Sequence, residues 1–221
     1  RFQANAEALA EDRESERAVR AEQQRIQSRR RQLFMLVAAA GDRYRTCTLD
    51  NFTGEYRQLV AVLKELREYV RGGCTCGLVL FGPVGTGKDH LAFAICVERI
   101  RLGKTVRWIN GQRWFGTIRD AMDTNRSEAD IILELAMPDV LCISDPLPPI
   151  GQLTQHQATM LYRLVDARYA RSLPTIVTVN VANDAEADER MGVATWDRLT
   201  HDAWKLFCNW PSYRKPKREI K

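Results

Sequence analysis

Short apolar runs alternate along the chain with segments whose apolar residues recur every three or four positions. Leu78-Val79-Leu80-Phe81, residues 105–109, Val140-Leu141-Cys142-Ile143, Thr175-Ile176-Val177-Thr178-Val179 and residues near 205–209 read as strands. Between them, 88–102, 112–122, 127–136, 154–170, 183–191 and 195–203 read as helices, with Gly103 closing the first and capping signals at Ser127/Asp130 and Asn183/Glu186. Ahead of the first strand, Tyr56, Leu59, Leu63, Leu66 and Val70 mark another helix, and 42–54 reads as a loop. Strand and helix in strict alternation predict an α/β fold in three layers. A parallel five-stranded sheet lies between helices, and a ligand site sits at the strands' carboxyl ends.

The amino-terminal stretch follows another rule. Residues 1–40 contain neither glycine nor proline and are rich in Ala, Glu, Gln and Arg, so one long helix is expected, stopped by Gly41. Its first thirty positions are polar on every face. A helix with nothing to bury projects or frays. Only Leu33-Phe34-Met35-Leu36-Val37 is apolar enough to dock. The expected division is a helical arm over 1–41, partner-binding or partly disordered, an α/β domain over 42–214, and a basic tail over 215–221.

The chemistry concentrates after the first strand. Gly82-Pro83-Val84-Gly85-Thr86-Gly87-Lys88-Asp89 fits the phosphate-loop pattern GxxxxGK[ST] except at its last position, where Asp89 replaces the hydroxyl. Glycines let successive N–H groups turn onto phosphate oxygens, the helix N-terminus adds positive potential, and Lys88 reaches the terminal phosphates. The bland alternative is a glycine-rich turn with a surface lysine. Strand, glycine loop and helix in that order argue against it and for a nucleoside triphosphate.

Two later strands complete the pattern. Val140–Ile143 is followed by Ser144, where a magnesium-holding Asp is usual, and then by Asp145, a candidate catalytic carboxylate. Asp89 and Ser144 together read as an exchange: the carboxylate stands in the loop and the hydroxyl on the strand. Magnesium, a hard oxygen-seeking ion, retains one acid and one alcohol, with Asp145 beside them. Decay of both positions into a weak or inactive ATPase is the competing reading. Pro146 is expected to confine Asp145 to extended backbone. Asn180 ends the 175–179 strand, where an amide can orient an attacking water.

Composition narrows the setting. The 221 residues carry a formal net charge of +5, with 45% hydrophobic residues. No apolar run approaches a membrane span and no signal peptide is evident. Cys74 and Cys76 are too closely spaced for a zinc half-site, and Cys47, Cys96, Cys142 and Cys208 are scattered, so a reduced, cytoplasmic protein is expected. Arg1 rather than Met stands first, which suggests a missing natural start. Arg25, Arg29, Arg30 and Arg31 cluster in front, and Arg214, Lys215, Lys217, Arg218 and Lys221 behind. Such patches suit nucleic acid or are merely solvated termini. Trp204, Trp210 and Tyr213 are candidates for stacking on bases, with burial beneath the sheet the competing use.

With these motifs in order, the chain resembles the AAA+ ATPases, and within them the DnaC and IstB group of helicase loaders and transposition helpers, over roughly 44–214. GPVGTGKDHLA (82–92), including His90, is similar to that group's phosphate loop. DVLCISD (139–145) is similar to its magnesium strand, PTIVTVN (174–180) to its first sensor, WDRL (196–199) to its arginine helix, and FCNWPSYR (207–214) to the loader branch. The resemblance implies an ATPase using ATP/ADP and Mg2+, whose subunits form a homo-oligomer on DNA in the presence of ATP. Arg198 would act as an arginine finger on the neighbour's nucleotide. Its alternative is a salt bridge to Asp197 or Asp202. Too few residues follow the last strand for a helical lid, which also suits the group. The implied partners are single-stranded DNA and a replicative helicase. The alternatives are a transposase with duplex DNA, or an ATP-gated scaffold that scarcely hydrolyses. Departures at Asp89 and Ser144 bear on hydrolysis rate more than on binding.

Overall fold

The computed structural model describes residues 2–54, 56–73, 76–121 and 126–214, the side chains of 2–12 excepted. Five strands form one parallel sheet in the order β2-β3-β4-β1-β5. They are β1 (Leu78–Phe81), β2 (Val106–Asn110), β3 (Val140–Ser144), β4 (Thr175–Val179) and β5 (Trp204–Phe207). The register sets Leu80 opposite Thr178 and Ser144 opposite Thr178 from the other side, so β4 carries that threonine between the two motif strands.

Alternation along each strand divides the core. Leu78 and Leu80 face one layer, built from α2 (Arg57–Arg71), α3 (Lys88–Arg101) and the end of α1 (Phe2–Ala40). Val79, Leu141, Ile143, Val177 and Val179 face the other. That second layer is built from α4 (Gly111–Ala121), α5 (Glu128–Ala136), α6 (Gln155–Tyr169), α7 (Asp184–Met191) and α8 (Val193–Thr200). A parallel sheet buried on both faces needs near-continuous apolar strands, as β1, β3 and β4 are. Each fully buried Leu or Ile contributes roughly 1.5–3 kcal/mol of transfer free energy.

Helix ends follow the sequence. Ser127 accepts the Asp130 N–H at 3.1 Å, Asn183 accepts that of Glu186 at 2.9 Å, and Thr154 with Gln157 closes a capping box on α6. Within α1, residues 13–31 are exposed, while Leu36 is buried, Leu33 and Val37 pack on the core, and the Gln32 side chain accepts the Val106 N–H on the open edge of β2 at 3.2 Å. The loop at 42–54 contains one 3-10 turn, Asp42–Tyr44. Among the described residues no helix follows β5, and none is long and apolar enough to cross a membrane. The basic tail predicted at 215–221 lies outside the described residues.

The cysteine expectation needs one correction. Cys47, Cys96, Cys142 and Cys208 are free and buried, but Cys76 is disulfide-bonded.

Candidate nucleotide-binding site

At the carboxyl edge of the sheet lies a cleft of about 580 Å³. Its walls include Val84, Gly85, Gly87, Lys88, Asp89, His90, Asp145 and Asn180 from the predicted set. The loop's geometry depends on three glycines at φ 134° (Gly82), 82° (Gly85) and 84° (Gly87). A Cβ at Gly82 would stand 2.6 Å from the Cys208 carbonyl oxygen, so the turn requires glycine on both conformational and packing grounds.

Lys88 Nζ donates to the carbonyls of Gly82 at 2.8 Å and Pro83 at 2.7 Å. The side chain is buried, and burial lowers its pKa. Thr86 is also buried, its hydroxyl donating to Pro83 O at 3.1 Å. His90 turns its Nε2 to Thr48 O at 2.9 Å and Asn51 Oδ1 at 3.1 Å, and packs edge-on against Phe52.

The two exchanged positions meet. Ser144 Oγ donates to Asp89 Oδ1 at 3.0 Å, and Thr178 Oγ1 donates to the same oxygen at 2.7 Å. Tyr44 OH lies 3.4 Å from Asp89 Oδ2. Burial, followed by the charge of Asp89, raises the Tyr44 pKa. Asn180 Nδ2 donates to Asp145 Oδ1 at 2.7 Å. Burial and then the like charge of Asp89 push the Asp145 carboxyl above the usual carboxylate range, against the opposing pull of Lys88.

Asp145 itself is not extended, which corrects the reading from Pro146. Its φ is +47°. The Asp145 N–H donates to Thr178 O at 3.0 Å and Thr178 Oγ1 at 3.2 Å, so bonds to β4 hold a backbone shape that the following proline disfavours. Aspartate is among the few residues that tolerate this region.

Arg198 stands apart. Its Nε donates to Asp166 Oδ1 on α6 at 2.8 Å, and its guanidinium lies 4.8 Å from the Tyr162 ring centre. It borders a hollow with Gly77 and Thr175 at the strands' amino ends, away from the cleft. The expected alternative partners, Asp197 and Asp202, give way to Asp166, because α6 and α8 pack face to face.

Sequence reasoning missed several wall residues. Arg43, Tyr44, Asn51, Phe52 and Thr53 come from the 42–54 loop, Tyr213 and Arg214 from the segment after β5, and Thr178 from β4. Thr178 carries a visible signal: it is the polar interruption in an otherwise apolar strand interior. The predicted stacking residue Trp210 is buried, its Nε1 donating to Thr86 O at 2.8 Å, so it is unavailable to bases.

Can these residues hold magnesium? Among the described residues no three His, Cys, Asp or Glu side chains gather. Magnesium bound to a nucleotide needs less: one or two carboxylates plus phosphates and waters. Asp89, Ser144 and Asp145 supply hard oxygens beside the phosphate loop, so the donor chemistry fits.

A five-stranded parallel sheet of this order, with a phosphate loop after β1, an acid after β3 and an amide after β4, defines an AAA+ ATPase fold. The chain belongs to the family of IstB-like ATP-binding proteins, which it matches over residues 4–220. It is 30% identical over 178 residues to the replicative helicase loader DnaC of Escherichia coli K12, a match spanning 77% of this chain and 70% of that protein. It is 31% identical over 149 residues to a putative ATP-binding protein of insertion sequence IS21 from Pseudomonas aeruginosa, spanning 64% of this chain and 54% of the relative. In fold it is similar to a crystal structure of the DnaC helicase loader, with a TM-score of 0.67 at 20% identity, covering 75% of this chain and 98% of that one.

Proposed function

We propose that this protein binds ATP with magnesium, hydrolyses it slowly, and assembles on single-stranded DNA to load a replicative helicase. The observation that carries the ATPase part is the meeting of Asp89 and Ser144 at 3.0 Å beside the Asp145–Asn180 pair. The loop's N–H groups and Lys88 would take the phosphates, whose oxygens replace the Gly82 and Pro83 carbonyls as partners of Nζ. Asp89, Ser144 and Asp145 would hold magnesium, which supplies neutralisation of charge on the transferring phosphoryl group. Asp145 accepts a proton from, or orients, the attacking water, and Asn180 fixes the carboxylate that does so.

Arg198 is the proposed arginine finger, acting on a neighbour's nucleotide. Its distance from its own cleft suits action across a subunit boundary. The test mixes Arg198→Ala with Asp145→Asn protein. Partial return of ATPase activity at mixed interfaces is expected, and none would leave Arg198 a purely structural partner of Asp166.

Similarity to a helicase loader over 70% of that relative's length supports the loader reading over the transposition one. Anisotropy with matched single- and double-stranded DNA, with and without ATP, tests it. Single-strand preference strengthened by ATP is expected. A duplex preference would favour the IS21-like reading instead, and no DNA binding a protein scaffold.

A further inference from the structure

Thr178 lies two residues before Asn180 in the sensor-like strand, and one hydroxyl of this residue touches both acidic residues of the site. Its Oγ1 donates to the Asp89 carboxylate at 2.7 Å and accepts the Asp145 backbone N–H at 3.2 Å. The hydroxyl has one hydrogen, and a carboxylate accepts only, so the direction of both bonds is fixed. Thr178 is buried in β4, between Leu80 of β1 and Ser144 of β3. Its position is therefore set by the sheet and not by a loop.

Two consequences follow. Asp89 Oδ1 is gripped by Ser144 and Thr178 together, which turns the carboxylate in a direction that one donor alone leaves free to rotate. Asp145, held at φ +47° by the same strand, keeps its side chain on Asn180. A threonine here does for Asp89 what a protein must do for any ion-holding carboxylate: it orients the ligand from behind.

We infer that Thr178 is the positioning residue of the magnesium site, setting how much magnesium adds to nucleotide affinity. This rests on the proposal that Asp89, Ser144 and Asp145 hold the ion. Thr178→Val keeps shape and strand propensity, and the Asp145 N–H keeps the Thr178 carbonyl at 3.0 Å, so the fold should survive.

The test is affinity for a fluorescent ATP analogue, measured with excess MgCl2 and again in EDTA, for the full chain and for Thr178→Val and Thr178→Ser. Hydrogen bonds to charged groups are of a size that gives about a tenfold effect. Thr178→Val should lose about tenfold of the gain conferred by magnesium while its affinity in EDTA stays unchanged, and Thr178→Ser should recover that gain. Equal magnesium gain in wild type and Thr178→Val overturns the inference and leaves the site reading intact. An equal loss in both buffers assigns Thr178 to the fold alone and also overturns it. No magnesium gain in the wild-type chain overturns the inference and the underlying site reading together.

Discussion

Trp210 donates its indole N–H to the carbonyl of Thr86, inside the phosphate loop, across 124 residues of sequence. Two neighbours extend that contact. The Tyr213 N–H donates to Gly85 O at 2.9 Å, and the Tyr213 hydroxyl donates to Thr53 O at 3.0 Å. Gly85 has no room for a side chain, since a Cβ would meet the Ser212 hydroxyl oxygen at 2.0 Å. The segment after β5 thus clasps the outer side of the loop.

Trp210→Phe should therefore weaken both fold and site. It leaves the buried Thr86 carbonyl without its donor, a cost of about 1–3 kcal/mol. Urea denaturation should show that loss, and ADP should stabilise the variant less than wild type. Equal stabilisation by ADP would mean that the clasp serves the fold without shaping the loop.

The exchange between loop and strand predicts a coupled pair. Asp89→Thr and Ser144→Asp should each weaken magnesium-dependent nucleotide binding, and together they should restore much of it. Groups in contact commonly show coupling of about 0.5–3 kcal/mol. A double-mutant cycle in which the singles merely add would break the exchange reading.

Element order and layering were legible because a doubly covered parallel sheet writes itself as apolar runs, as in Val140–Ile143 and Thr175–Val179. The phosphate loop was legible because glycine, lysine and helix start are adjacent in sequence. Thr178 and the walls from the 42–54 loop were not, since their roles depend on partners such as Asp89 that lie far along the chain. At Asp145 the local rule failed: the proline after it disfavours the observed shape, and hydrogen bonds to Thr178 prevail. Trp210 takes the burial that competed with stacking on bases, but sequence does not reveal that its indole N–H reaches the phosphate loop.

Asp145 should titrate above an ordinary aspartate. Burial and Asp89 both favour its protonated form, so folding stability owed to this group rises as pH falls through its raised pKa and levels off below the unfolded value. Ionised Asp145 is the form the proposed hydrolysis needs, so the raised pKa belongs to the nucleotide-free protein. Asp89→Asn removes the like charge and should lower the Asp145 pKa in the nucleotide-free protein. Carboxyl-carbon NMR titration reads this directly, and an unchanged value would remove Asp89 as a cause.

Arg168 should prove the most damaging core position outside the site. It is fully buried, and its guanidinium donates to the carbonyls of Leu135, Ala136, Pro138, Asp139 and Pro174 and to the Thr175 hydroxyl. It thereby ties the end of α5 to the starts of β3 and β4. Burial lowers its pKa to about 10, still well above neutrality, so the charge persists, compensated by carbonyl dipoles and by the charge of Asp139. Because the folded value and the higher unfolded one both lie well above pH 8, pH changes between 5 and 8 should leave its contribution constant. Arg168→Met strips several buried carbonyls of their donor, and each one left unsatisfied costs about 1–3 kcal/mol. Arg168→Lys should rescue little, because one ammonium cannot reproduce a planar fork spread over so many acceptors. Urea denaturation checks both variants. A lysine variant as stable as wild type would mean that charge, and not the geometry of the fork, holds this corner together.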